Sequence, residues 1–262
     1  MKALDKTMSV LELFTPANPQ WGLFELGEAT SLPVSTLHRI VSVLKRHGLM
    51  IQDPDSKKYR LGYAAIELGR RAAAGLPVRQ MAEPEMRRLA RETGETIVLT
   101  VLNDAHDRSI CVERVESRYD LRLHLEVGSV GYLHAGASSK VLLAFLPEDE
   151  VEDLVRRTGL PAMARNTITD PQALATELAA IRKRGYAYSH EETDPDAWGV
   201  AAPILTLDER ALAAIGIAGP MSRYSVAARK RYATLATESA ERVAERLGMH
   251  RRPERSERHR TA

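Results

Sequence analysis

The chain has 262 residues, of which 44% are hydrophobic and 27% charged, enough for two modest soluble domains. A formal net charge of +2 excludes a globally basic nucleic-acid binder, so any such surface must be a local patch, and 5% aromatic residues argue against a base-stacking single-strand binder. The single cysteine, Cys111, excludes an intrachain disulfide and a CxxC site, and in "RSICVERV" it reads as a small core residue.

The N-terminal stretch "MKALDKTMSVLELF" has no signal-peptide core, and no window reaches the ~18 apolar residues of a membrane span. A cytoplasmic protein with no membrane association is expected. Leu4, Met8 and Leu11 recur at helical spacing, and Pro16 and Pro19 end that helix. A short helix over residues 23–30 follows, with Gly22 before it. In "SLPVSTLHRIVSVLKRHGLM", Pro33 suits the first helical turn, and Leu37, Ile40, Val41 and Leu44 form one buried face. Gly48 closes the helix. "LMIQ" and "KYRL" around "DPDSK" then read as a hairpin. Three helices and a hairpin within residues 1–62 predict a winged helix-turn-helix.

Residues 63–76 read as an alanine-rich linker helix, with Gly69 and Gly75 as points of movement. The next helix begins at Pro77, ends at Gly94 and contains Pro84, which predicts a kink. "ETIVLTVL", "RSICVERV" and "LRLHLEV" read as strands, followed by the helices "SSKVLLAFL" and "DEVEDLVRRTG". A third helix takes Asp170 as N-cap, Pro171 at its first position and Gly185 past its end. "YAYSHEE", "WGVAAPIL" and "ALAAIGIAG" add three strands, and a long helix from Ser225 to Gly248 completes residues 77–248. The whole is an α+β domain with an antiparallel sheet. The polar tail, 249–262, is expected to be disordered and basic.

Opposite the apolar face of the third helix lie Ser35, Arg39, Ser42 and Arg46, spaced i, i+4, i+7, i+11, with Thr36 and His38 beside them. Arginine can fork onto a guanine edge or a phosphate, and hydroxyls contact either bases or backbone. Lys57 and Lys58 at the hairpin tip suit phosphate or minor-groove contact. A solvated helix face is the competing reading for this pattern alone. Residues 1–62 hold eight Lys/Arg against six Asp/Glu, so bulk charge adds little.

The second domain carries no strong catalytic motif. His134, Ser138, Ser139 and Lys140 cluster at a helix start without an S-x-x-K or G-x-S-x-G pattern. "SHEETDPD" has ligand-type residues but no metal-binding spacing, so neither metal nor cofactor is expected. The small residues from Ala135 to Ser139 at a helix N-terminus could accept a carboxylate, and Gly199, Gly216 and Ala218 could leave room facing it. Close helix–sheet packing explains the same small residues.

Several blocks together resemble the IclR-type bacterial transcriptional regulators: "ALDKTMSVLELF", "SLPVSTLHRIVSVLKRHGLM", "KYRLG", "LARETGETIVLTVL", "LHAGASSKVLLAFLP", "NTITDP", "IRKRGYA", "VAAPI" and "GIAGP". The resemblance spans residues 2–248. It implies an N-terminal winged helix-turn-helix, a linker helix and a C-terminal GAF/PAS-like effector-binding domain. It further implies a homodimer or dimer of dimers that binds double-stranded operator DNA and a small organic effector, with repression of a catabolic operon favoured. DNA contacts would fall to Ser35, Thr36, His38, Arg39 and Lys57. Val34 stands where the family often has a basic residue. The effector cup would be lined by Ala137, Ser138, Ser189, Ala197, Gly199, Gly216 and Ala218, with Trp198 nearby, and its small residues suit an aromatic or other bulky ligand. The rival reading is a small-molecule hydrolase using His134, Ser139 and Lys140, with the N-terminal domain as accessory.

Overall fold

A computed structural model describes residues 3–119 and 125–249. The chain divides into two compact units, meeting in sequence at Gly75 and Leu76. The expected strand "LRLHLEV" falls largely outside the described residues, as does the tail beyond Met249.

The first unit opens with α1 (Ala3–Leu11), α2 (Leu23–Thr30) and α3 (Val34–Arg46). The hairpin strands β1 (Met50–Gln52) and β2 (Tyr59–Leu61) follow, then α4 (Tyr63–Ala74). The four apolar residues expected to face inward on α3 are the ones buried, and they form one core with Val10, Leu26, Met50 and Tyr59. Pro33 is the residue before the helix rather than its first position; its extended ψ of 141° sets the direction of entry. Gly48 adopts φ +70°, the left-handed backbone that ends a helix without a Cβ penalty. The wing is extended by Trp21, whose N–H and carbonyl both pair with Tyr59.

One expectation about α1 is corrected. Leu4 and Met8 are exposed, and Val10 is the helix's buried residue. Helix α2 meets α1 on the Val10 side, so the Leu4/Met8 stripe has no partner element within this unit among the described residues.

The second unit is a six-stranded antiparallel sheet between two helical layers. The strands are β3 (Thr96–Leu102), β4 (Arg108–Val115), β5 (Val130–Tyr132), β6 (Ala187–His190), β7 (Ala197–Leu205) and β8 (Ala211–Pro220). They run in the order β5-β4-β3-β8-β7-β6. Helices α5 (Pro77–Thr93) and α9 (Val226–Arg246) cover one face, packing Met86, Leu89, Ala236 and Val243 on Ile97, Leu99, Val200 and Ile215. Helix α5 continues through Pro84. The other face carries α6 (Ala137–Ala144), α7 (Glu148–Thr158) and α8 (Pro171–Arg184), held by Leu142, Leu154, Leu178 and Ile181. Asp170 caps α8 as expected, its carboxylate accepting the Ala173 N–H at 2.7 Å. No described helix is long and apolar enough to cross a membrane.

Candidate DNA-reading face and effector cavity

On α3 the outward row is exposed as the periodicity requires: Ser35, His38, Arg39, Ser42 and Arg46, with Thr36 half-buried. Among the described residues none of these side chains makes a hydrogen bond or ion pair within the protein. Arg71, Arg87 and Arg157, by contrast, are each bonded to a carboxylate four residues away on their own helix. The α3 side chains thus keep all their hydrogen-bonding capacity for an external partner.

The wing is a tightly made turn. Asp53 accepts from the Ser56 N–H and hydroxyl at 2.7 and 2.8 Å, which holds its carboxyl below the usual aspartate range. Lys57 sits at the tip with φ +60°, its ammonium resting on the Pro54 carbonyl. Lys58 is placed differently: its ammonium bonds Glu25 at 3.1 Å, and the same carboxylate accepts the Gly22 N–H at 2.7 Å. Lys58 therefore ties the wing to the start of α2, and of the two wing lysines Lys57 is the one left facing outward.

In the second unit, a cavity of about 340 Å³ opens between the sheet and the start of α6. This volume lies within the small-ligand range. Strand register builds its wall. Ser189 lies opposite Gly199, Gly199 opposite Ala218, and Gly216 opposite Val98. Farther along the same face, Thr100 lies opposite Cys111, and Ser109 opposite Gly131. Ala137, Ser138, Ser189, Ala197, Gly199, Gly216 and Ala218 all border this cavity. A Cβ on Gly216 would lie 2.6 Å from Ser138 Oγ and 2.9 Å from Val98 Cγ2, so glycine there is what lets the α6 start approach the sheet.

Trp198 also borders the cavity, but its ring belongs to the opposite face. It stacks on Tyr232 of α9 with centroids 5.5 Å apart, and its indole N–H donates to the Pro220 carbonyl at 2.9 Å. Alternation along β7 turns it away from Ala197 and Gly199. The sequence reading missed the β3–β4–β5 half of the cup, where Thr100, Ser109, Cys111 and Tyr132 line the wall, together with Ser139 from α6. The available signal was a hydroxyl at alternate positions in otherwise apolar strands. Among the described lining residues there is no lysine, arginine or histidine.

The start of α6 already holds a resident carboxylate. Glu192 accepts the Gly136 N–H at 3.0 Å, so this part of the expected anion site is filled from within. Lys140, 1% exposed, donates to the same Glu192 at 2.6 Å and to the Tyr188 carbonyl at 3.0 Å. Burial raises the Glu192 carboxyl above its ordinary range, against the pull of the Lys140 ammonium. Removing one partner of a buried ion pair strands the other. Lys140→Met is expected to cost about 3–5 kcal/mol, and the double variant with Glu192→Gln to recover part of it. Urea denaturation reads this directly; an unchanged midpoint in the single variant would contradict the pairing.

The proposed hydrolase residues do not assemble. Ser139 bonds Ser109 at 2.8 Å, His134 Nε2 lies 3.0 Å from the Pro161 carbonyl, and Lys140 is spent on Glu192. In the "SHEETDPD" loop, Glu191 pairs with Arg165 and Glu192 with Lys140.

A helix-turn-helix with a hairpin wing, carried in one chain with a separate cavity-bearing α+β unit, defines a ligand-responsive transcriptional regulator. The family described as "Bacterial transcriptional regulator IclR C-terminal" matches residues 70–245, and the "IclR helix-turn-helix domain" matches residues 3–54. The chain belongs to the IclR family of bacterial transcriptional regulators, and it is a regulator rather than an enzyme. It is 34% identical to the HTH-type transcriptional regulator KipR of Bacillus subtilis, over 86% of this chain and 88% of that one. It is 30% identical to the transcriptional repressor IclR of Escherichia coli, over 85% and 81% of the two chains. Among solved structures it resembles an IclR homolog from Microbacterium hydrocarbonoxydans complexed with 4-hydroxybenzoate. The TM-score is 0.79 at 27% identity, covering 95% of this chain and all of that one.

Proposed function

We propose that residues 1–62 read operator DNA through Ser35, Thr36, His38, Arg39, Ser42 and Arg46 of α3, with Lys57 on a phosphate and Lys58 orienting the wing. Residues 63–76 act as the connector, and residues 77–248 bind a small aromatic effector in the cup above Gly199 and Gly216. The observation carrying the DNA assignment is the unpaired outward row of α3. Supporting the aromatic effector are the cavity's predominantly small and apolar floor and the 4-hydroxybenzoate bound by the Microbacterium relative. Repression of a catabolic operon is favoured, since one relative is named a repressor. The protein acts in the cytoplasm, where its operator is. Isothermal titration against aromatic acids and two- or three-carbon acids tests the effector class. Tight binding of only the small acids would overturn the aromatic assignment.

The working form is a homodimer. Two recognition helices then meet half-sites about one helical turn apart, roughly 34 Å, or a multiple of that. The observation supporting self-association is the set of exposed apolar side chains on the first unit's helices: Leu4 and Met8 on α1, and Tyr63, Ile66 and Leu68 on α4, are all more than half exposed. Tyr63 and Ile66, three residues apart on one helix face, are where a second copy would pack. Ile66→Glu is expected to convert the dimer to monomer in sedimentation velocity. A species of unchanged mass would place the interface elsewhere.

A further inference from the structure

The part of the cup built on β3, β4 and β5 carries a polar cluster of its own. Thr100, Ser109 and Cys111 are each at least nine-tenths buried, and all three line the cavity. Two of them have partners in the protein. Ser109 donates to the Gly131 carbonyl at 3.3 Å and shares a 2.8 Å bond with Ser139, while the Cys111 thiol is directed to the Glu113 carbonyl. The Thr100 hydroxyl has no protein partner among the described residues. The Thr100 oxygen is not sealed in the core but open to the cavity, so whatever fills that space must either bond the hydroxyl or leave it unpaired, a cost that an isosteric valine would not carry. Along β3 the side chains alternate without a break, so Thr100 joins Val98 on the cavity face while Ile97 and Leu99 pack in the opposite core; the register shift beside it inserts Val112 in the partner strand β4.

The electrostatics of this end narrow what Thr100 can meet. No cation lines the cavity among the described residues, and burial pushes the Cys111 thiol up to about 11. Negative charge is therefore opposed beside Thr100. The distance narrows it further. Ser138 lies over Gly216 on β8, which neighbours β3, and β4 is one strand beyond. Adjacent strands are about 4.8 Å apart, so the two polar ends of the cup are separated by roughly 5–10 Å. A single six-membered ring with a polar group at each of two ends fits that span.

We infer that Thr100 is a specificity-determining residue of the effector site, whose hydroxyl bonds an un-ionised hydroxyl substituent on the aromatic ring. This rests on the aromatic reading of the effector and adds a substituent to it. Unsubstituted ring acids would enter the cup but leave Thr100 unpaired, and would bind more weakly.

Isothermal titration of the full chain with benzoate, 3-hydroxybenzoate and 4-hydroxybenzoate tests this. The wild-type chain is expected to bind one hydroxylated acid about tenfold or more tighter than benzoate. In Thr100→Val the ratio of hydroxybenzoate to benzoate affinity should fall to about one, whereas Thr100→Ser should keep it. A preference that survives in Thr100→Val overturns the assignment, as does a parallel loss for all three acids. If none of the three binds the wild-type chain, the aromatic reading fails and this inference falls with it. That outcome is told apart because it appears before any variant is made.

Discussion

Gly216→Val is expected to weaken effector binding by more than about a hundredfold and to leave operator binding intact. Gly216 lies outside the left-handed region, so the effect is steric rather than conformational. The first added carbon would already sit 2.6 Å from Ser138 Oγ and 2.9 Å from Val98 Cγ2. Neither neighbour can withdraw easily. Ser138 is on α6, which is fixed by Val141, Leu142 and Leu143 in the core and by Lys140 on Glu192. Val98 is in the middle of a strand paired on both sides. The two further methyls of valine therefore fill the cup at the centre of its wall. Overpacking costs roughly 1–3 kcal/mol, which a folded unit of this size can absorb. Gly199→Ala is the milder comparison, since its Cβ would meet Ser189 Oγ at 3.3 Å and Ala137 Cβ at 3.5 Å. Titration calorimetry and thermal unfolding on both variants separate a filled cup from a damaged fold. Wild-type effector affinity in Gly216→Val would contradict the assignment of this cavity.

Arg39→Ala should have the largest effect on DNA binding. Arg39 is in the second turn of α3, exposed and without a protein partner among the described residues, so its removal costs the fold little. A bidentate arginine contact to a base contributes about 1–3 kcal/mol, and a dimer loses two. Operator affinity should fall roughly thirtyfold or more, and discrimination against mismatched operators should relax. Lys57→Ala should act differently, weakening all sequences alike and reducing the salt slope by about 0.9 per lost phosphate contact. Fluorescence anisotropy at several salt concentrations, on operator and scrambled duplexes, distinguishes the two. A purely uniform loss in Arg39→Ala would make it a phosphate contact rather than a base reader.

What could be read from the sequence was what local periodicity and capping decide. The face of Leu37, Ile40, Val41 and Leu44, the Asp170 cap and the glycine stops at Gly48, Gly94 and Gly185 all stand as expected. What could not be read depended on which surface a neighbour covers or on which strands pair. Leu4 and Met8 have the spacing of a buried stripe, yet nothing in the first unit covers them among the described residues. Lys58 looked like a free wing lysine because Glu25, its partner, is 33 positions away. Thr100 and Ser109 come onto one wall only because β3 and β4 pair side by side facing α6. Trp198 borders the cavity as expected, and the direction of its ring was legible in the strand pattern. With a period of two, it cannot share a face with Ala197 and Gly199, and its ring lies against Tyr232 instead.

The central claim is that a ligand in the cup of the second unit changes how tightly the first unit holds its operator. Binding coupled in this way changes affinity by about 5–150-fold. The direct measurement is anisotropy of a labelled fragment of the chain's own upstream promoter, titrated with the full chain. It is run with and without a saturating amount of the tightest-binding hydroxybenzoate. The account predicts two curves separated by at least about fivefold for the wild type and superimposed for Gly216→Val. Superimposed curves for the wild type, or an unchanged separation in Gly216→Val, would contradict it.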